Sequence, residues 1–185
     1  MKKQVVIILA NGHEEVEAIT VIDLLRRAGI NVIIAGLGGK EIAGAHDIRI
    51  LTDITVDQTP TQFEGVILPG GFPGTSNLAE SDIVKSIVQD SYHKGLLTGA
   101  ICAAPLVLEI AGVLAGKKYT CYPGNEKKIK SGQFIEESVV QDGNIITSRG
   151  VGTAIPFALK IIEYLLGDVQ SQSIASSLLF SFGKR

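Results

Sequence analysis

The sequence predicts an α/β protein, a doubly wound sandwich of helices on a mostly parallel sheet, on three observations. Short unbroken apolar runs such as "QVVIILA" and "NVIIAGL" read as strands covered on both faces, as parallel sheets require. Between them lie segments whose apolar residues recur at helical spacing. No repeat or low-complexity linker interrupts this alternation, so the 185 residues read as one domain, 1–185, with a sizeable core.

The first strand, 4–10, ends at "NGH", and over 14–28 the residues Val16, Ile19, Val21, Leu24 and Leu25 fall near helical spacing before Gly29 closes the helix. "NVIIAGL" is the second strand. The stretch 38–60 mixes short β-like pieces, "DIRILTD" and "ITVD", with turns, and reads as a hairpin or local excursion from the main sheet. "EGVILPGG" is a buried strand running into a glycine-rich turn, "DIVKSIVQDSYHKG" an amphipathic helix ending at Gly95, and "LLTGA" the strand that feeds Cys102. Residues 103–110 read as helical, with Pro105 tolerated in the first turn because its missing N–H is not needed there. "SVVQDGNIITS" signals a hairpin around Asp142-Gly143, and 152–166 and 169–180 read as two closing helices.

Composition narrows the function. Seventeen basic residues against nineteen acidic ones give a net charge of -2, without the cationic excess that nucleic acid would attract. The basic cluster "NEKKIK" holds an apolar Ile129 and reads as the solvated face of a short helix. The apolar run Val5 to Ala10 is shorter than a signal peptide needs, and no run reaches the ~18 residues of a membrane span, so a cytoplasmic protein is expected. Two cysteines make no disulfide framework, and a reducing compartment keeps both as thiols. His13, His46 and His93 are scattered, with no metal-ligand spacing, and "GLGGK" is an incomplete phosphate loop. Neither a metal nor an organic cofactor is therefore expected.

In a doubly wound sheet, sites form outside the carboxyl ends of the strands, where "LANGHEEVE", "LPGGFPG" and "GAICAAP" should meet. Gly99, Ala100, Ala103 and Ala104 are the small neighbours that a sharp strand-to-helix turn needs around an exposed nucleophile, here Cys102. A helix N-terminus would make that thiol more acidic than a free cysteine. Inert packing of Cys102 as a small hydrophobe is the competing reading. Gly70 and Gly71 permit close backbone approach and, with the N–H of Ala103, could build an oxyanion hole; a plain tight turn explains the glycines equally well. Glu14 and Glu15 should face solvent, whereas Glu17 shares a helix side with apolar residues and reads either as a partly buried, protonated acid or as an exposed first-turn carboxylate. Cys121 reads as structural, and His93 as a partner of a helix C-terminus.

The ordered motifs "NGHEEVEA", "VILPGG", "GAICAAP" and "TSRGVGTAIPFALKIIE" resemble the ThiJ/PfpI superfamily, in the branch of the parkinsonism-associated deglycase and its bacterial relatives, nearly end to end. The resemblance implies a flavodoxin-like three-layer sandwich, usually a homodimer, with reactive Cys102 at a nucleophile elbow and a protonated partner, Glu17. It places Gly70, Gly71 and Ala103 at the backbone oxyanion positions. It also implies cofactor-free activity on a small carbonyl substrate: a glutathione-independent glyoxalase acting on α-oxoaldehydes such as methylglyoxal, or a deglycase of early glycation adducts. The alternative is a redox sensor or redox-regulated chaperone whose Cys102 becomes a sulfinate. The chain departs from the family at four positions. Ala103 stands where the peptidase-like branch has a histidine, which argues against a peptidase. Tyr122, before Pro123, replaces a pocket histidine and is a poor base at neutral pH, though it could donate a hydrogen bond to a substrate carbonyl. Val151 and His46 replace an interface proline and an anion-binding arginine, while Arg27 matches.

Overall fold

Along β1 (Gln4–Ala10) the side chains alternate between two separate cores: Val5, Ile7 and Leu9 enter one, Val6, Ile8 and Ala10 the other. A strand apolar on both faces must lie between two helical layers, and this one does. The computed structural model describes residues 3–181. After β1 come α1 (Glu15–Arg27), β2 (Asn31–Leu37), β3 (Glu41–Ala43), β4 (Arg49–Leu51), β5 (Ile54–Thr55), β6 (Gly65–Leu68), α2 (Gly74–Glu80), α3 (Asp82–His93) and β7 (Leu97–Ile101). The chain continues through α4 (Pro105–Ile110), β8 (Lys118–Tyr119), β9 (Gln133–Phe134), β10 (Val139–Asp142), β11 (Ile145–Ser148), α5 (Ala154–Leu166) and α6 (Asp168–Ser177).

The main sheet has the order β10-β11-β7-β6-β1-β2-β5, in which β10 alone runs antiparallel. Its five central strands, taken in chain order, follow the flavodoxin-like sequence 2-1-3-4-5, with the direction of winding reversing between β1 and β6. Helices α1, α5 and α6 cover one face, and α2, α3 and α4 the other. The expected hairpins form as β3–β4 and β10–β11, and β5 returns to the sheet edge beside β2.

The structure adds one helix and shifts others from the sequence expectation, α5 beginning at Ala154 rather than at residue 152. Helix α2 has no periodic apolar signal; only Leu78 and Ala79 among its apolar side chains are buried. Helix α4 starts at Pro105 rather than at residue 103, because Cys102 takes a left-handed conformation (φ 64°) that a helix cannot continue from. Helix α6 stops at Ser177, short of Phe180.

Gly99 in β7 shows how the central strands meet α5. A Cβ there would lie 3.4 Å from Phe157 Cζ and 3.7 Å from Ile161 Cδ1, so the fully buried Phe157 ring occupies the space above the strand. Truncating it leaves a cavity that the rigid sheet cannot collapse into. Phe157→Ala is expected to cost about 3–5 kcal/mol in urea unfolding; a loss under about 1 kcal/mol would mean that the ring is not packed as described.

Candidate active site

The carboxyl ends of β1, β6 and β7 deliver three loops to one point beside the β1/β6 switch. Cys102 follows β7 directly. Its positive φ is held on both sides: its N–H donates to Ser148 O (2.9 Å) and its carbonyl accepts from Tyr122 N–H (2.8 Å). A non-glycine residue in this region costs on the order of 1–3 kcal/mol, and the buried, small Ala100, Ala103 and Ala104 leave room for the turn. The elbow expected from the small residues is present.

Glu17, on the third position of α1, is fully buried. Its Oε2 accepts the Gly70 N–H at 2.8 Å, while Oε1 is buried without a protein hydrogen-bond partner. Gly70 lies between the acid and the thiol: a Cβ on it would be 2.9 Å from Glu17 Oε2 and 3.0 Å from Cys102 Sγ. Gly70 therefore departs from the oxyanion role expected of it, since its N–H is already committed to Glu17. The N–H groups of Gly71 and Ala103 are the ones that face the sulfur.

Burial raises the Glu17 carboxyl from 4.5 to about 7; the Gly70 N–H and the Cys102 thiol pull it down and Glu14 adds to the rise. A carboxylate in a helix's first turn gains about 0.3–1 kcal/mol from the dipole. The rise to about 7 corresponds to roughly 3 kcal/mol in the opposite sense, so desolvation wins. For Cys102 the structure reverses the sequence expectation of an acidic thiol. Burial comes first, then the charge of Glu17 and its hydrogen bond to the thiol; together they push the thiol up to about 12 against the opposing N–H groups of Ala103 and Gly71. The helix beyond the turn has six residues and begins three positions later, too short and too far to outweigh burial. Protonating Glu17 removes the negative charge that opposes a thiolate, so the two groups compete for one proton.

A cleft of about 600 Å³ opens over this pair, lined by Glu14, Phe72, Tyr122, Asn125, Arg149 and Val151 among others. Tyr122 is half exposed and its ring edges Gly150. Glu15 was expected to face solvent; instead it is 3% exposed. Burial alone would raise it, but His46 Nδ1 (2.8 Å) and the backbone N–H groups of Glu15, His46 and Ile48 outweigh burial and hold it near 2. Glu14, Glu15 and His46 bring their ligand atoms within 4.8 Å of one another, yet the Glu15 oxygens are taken by these donors, which makes the cluster a latch between α1 and the β3–β4 hairpin. Cys121 is fully buried, in keeping with a structural role, and His93 ends α3. Sequence reasoning missed Asn125, Arg149 and Phe72; Arg149 lay inside a quoted motif, but nothing in its neighbours signalled that the strand end would turn it into the cleft.

The DJ-1/PfpI family profile matches residues 3–164. The chain belongs to the DJ-1/PfpI family. It is 43% identical to Protein dj-1beta of Drosophila melanogaster over 98% of this chain and 100% of that protein. The crystal structure of that Drosophila DJ-1beta superposes with a TM-score of 0.95 at 42% identity, covering 98% of this chain and 100% of the other. Glutathione-independent glyoxalase DJR-1.2 of Caenorhabditis elegans is 34% identical over 96% of each chain. Oxidized DJ-1 of Toxoplasma gondii superposes with a TM-score of 0.94 at 31% identity, over 97% of this chain and 100% of that one. Among the described residues no helix is long and apolar enough to cross a membrane.

The raised Glu17 value fixes the sign of a pH effect. Below pH 4.5 the carboxyl is neutral whether the chain is folded or unfolded; as pH rises toward 7 only the unfolded chain gives up the proton, and stability falls. Glu17→Gln lacks this titration. Its stability relative to wild type is expected to improve by on the order of 3 kcal/mol between pH 4.5 and 8, read by urea unfolding at each pH. A difference that does not change with pH would refute a protonated Glu17.

Proposed function

We propose that the protein is a cysteine-dependent, cofactor-free glyoxalase that converts small α-oxoaldehydes such as methylglyoxal to 2-hydroxy acids. The observation that carries this reading is the buried Glu17 carboxyl set beside Cys102 at the floor of an open cleft. A family relative named as a glutathione-independent glyoxalase supports it.

The reaction begins from the form of the pair in which the single proton sits on Glu17 and Cys102 is a thiolate, and that sulfur adds to the aldehyde carbon. The new C–S bond leaves a negative oxygen, which the N–H groups of Gly71 and Ala103 are placed to receive. Glu17 Oε1, free of protein partners, then exchanges protons with the substrate: the former aldehyde carbon gives up its hydrogen, and the neighbouring carbonyl carbon gains one as its oxygen becomes a hydroxyl. The hemithioacetal becomes a thioester with no net oxidation. Water attacks the thioester carbon, the C–S bond breaks, and the acid departs with Cys102 reprotonated. Tyr122, on the cleft wall, donates a hydrogen bond to the second carbonyl oxygen. Early glycation adducts of the same aldehydes, which release the free carbonyl on reversal, are a second substrate class for this chemistry.

Convergence of the Gly71 and Ala103 N–H groups on the sulfur also favours a second use, in which peroxide oxidises Cys102 to a sulfinate whose oxygens accept those donors. For assembly we propose a homodimer through the exposed Val16 and Ile19 on α1, with Ile48, Leu51 and Val151 extending the apolar surface.

Lactate formation from methylglyoxal tests the leading reading. Cys102→Ser is expected to lose at least about a hundredfold in kcat/KM, and Glu17→Gln about a hundredfold or more, with fold retained by circular dichroism. Equal rates for wild type and Cys102→Ser would eliminate the mechanism. Selective gain of two oxygens at Cys102 in intact-mass spectra, with no aldehyde consumed, would favour the sensor.

A further inference from the structure

The cleft is electrically lopsided. Glu14 and Glu17 come from the start of α1, and the one basic side chain lining the cleft among the described residues, Arg149, comes from the end of β11. Arg149 is largely covered, with its side chain 22% exposed, and it forms an ion pair at 3.0 Å with Glu136, which is 77% exposed. Such a partner is easily given up: an exposed ion pair contributes about 0–1 kcal/mol and a ligand carboxylate offers the same guanidinium two parallel hydrogen bonds.

Asn125 supplies an independent observation. The residue is 7% exposed and lines the cleft, yet its side-chain amide takes part in none of the hydrogen bonds among the described residues. Its position is fixed by the backbone, since Asn125 N–H donates to Tyr122 O at 3.1 Å after the left-handed Gly124. The amide is open to the cleft rather than sealed in, so water meets it and an anionic ligand held by Arg149 can take that water's place. The Lys128 ammonium sits 5.9 Å from the centroid of the ring of Phe72, a cleft-lining residue, and adds positive potential near the cleft.

We infer that Asn125 and Arg149 form a carboxylate-recognising subsite, and that the cleft therefore prefers α-oxoaldehydes bearing a carboxylate to neutral ones. This rests on the glyoxalase reading for its substrate class, but the subsite itself stands on the cleft alone. The carbonyl end of such a substrate lies over Cys102 and Glu17 while the acid end reaches Arg149. Glu136 competes with the ligand for the guanidinium and weakens binding.

The test compares 4,5-dioxopentanoate, an α-oxoaldehyde with a carboxylate, with the neutral five-carbon 2-oxopentanal. The ratio of their kcat/KM values is expected to fall about tenfold in Arg149→Gln and several-fold in Asn125→Ala, and to rise in Glu136→Gln, whose exposed side chain can be changed without threatening the fold. Ratios equal to wild type in all three variants would overturn the subsite while leaving the glyoxalase reading intact. If no variant and no wild-type sample turns over either aldehyde, the glyoxalase reading falls, and binding decides the subsite. Titration with 4-oxopentanoate should then shift the Asn125 side-chain amide signals in a saturable way in wild-type protein and not in Arg149→Gln; no saturable shift in wild type would overturn it.

Discussion

A single buried acid holds this site together. Glu17 sits where an ionised carboxylate has too few partners: one N–H from Gly70, a neighbouring thiol, and an oxygen with nothing from the protein to accept. Its proton is the cheapest remedy, and once Glu17 is neutral the charge that most directly opposes a thiolate at Cys102 is gone. The reactivity of the sulfur is thus a property of the pair. A helix dipole contributes little, because α4 is short and starts beyond the elbow.

The surrounding fold serves to keep those two groups in register. Gly70 cannot carry a side chain, since a Cβ would fall 2.6 Å from that of Cys102. Gly71 has φ 90° and a Cβ there would lie 2.4 Å from Glu14 N, so the β6 loop is pressed against the start of α1. The Glu15–His46 latch pins that helix start to the β3–β4 hairpin. Strands β1, β6 and β7, paired in register from Val5 to Leu97, set the separation of the loops.

Much of this was legible in the sequence, for identifiable reasons. Runs apolar at every position announced the parallel sheet, and the small residues flanking Cys102 announced the elbow, because both follow from local sterics. Glu17 could be suspected because helical periodicity put it among apolar neighbours. What escaped depends on contacts distant in the chain. Glu15 looked like a solvated first-turn acid, since its burial is created by His46 and Ile48, more than thirty residues away. The sign of the shift at Cys102 was misread because position at a helix entrance is local, whereas desolvation and the Glu17 charge arise from the assembled core. Gly70 was assigned to the wrong acceptor for the same reason, and Asn125 and Arg149 come to line one cleft only in the assembled fold.

With acids supplied by the start of α1 and a guanidinium by the end of β11, the cleft gives a carboxylate-bearing ligand a direction, its electrophilic end toward the sulfur. That direction has chemical meaning only if the proton resides on the acid. The most direct measurement is a carbon-13 NMR titration of the Glu17 side-chain carboxyl, assigned by comparison with a Glu17→Gln sample. A midpoint near 7 is the result expected here; a midpoint near the ordinary 4.5 would leave Glu17 charged beside Cys102 at neutral pH and contradict the account.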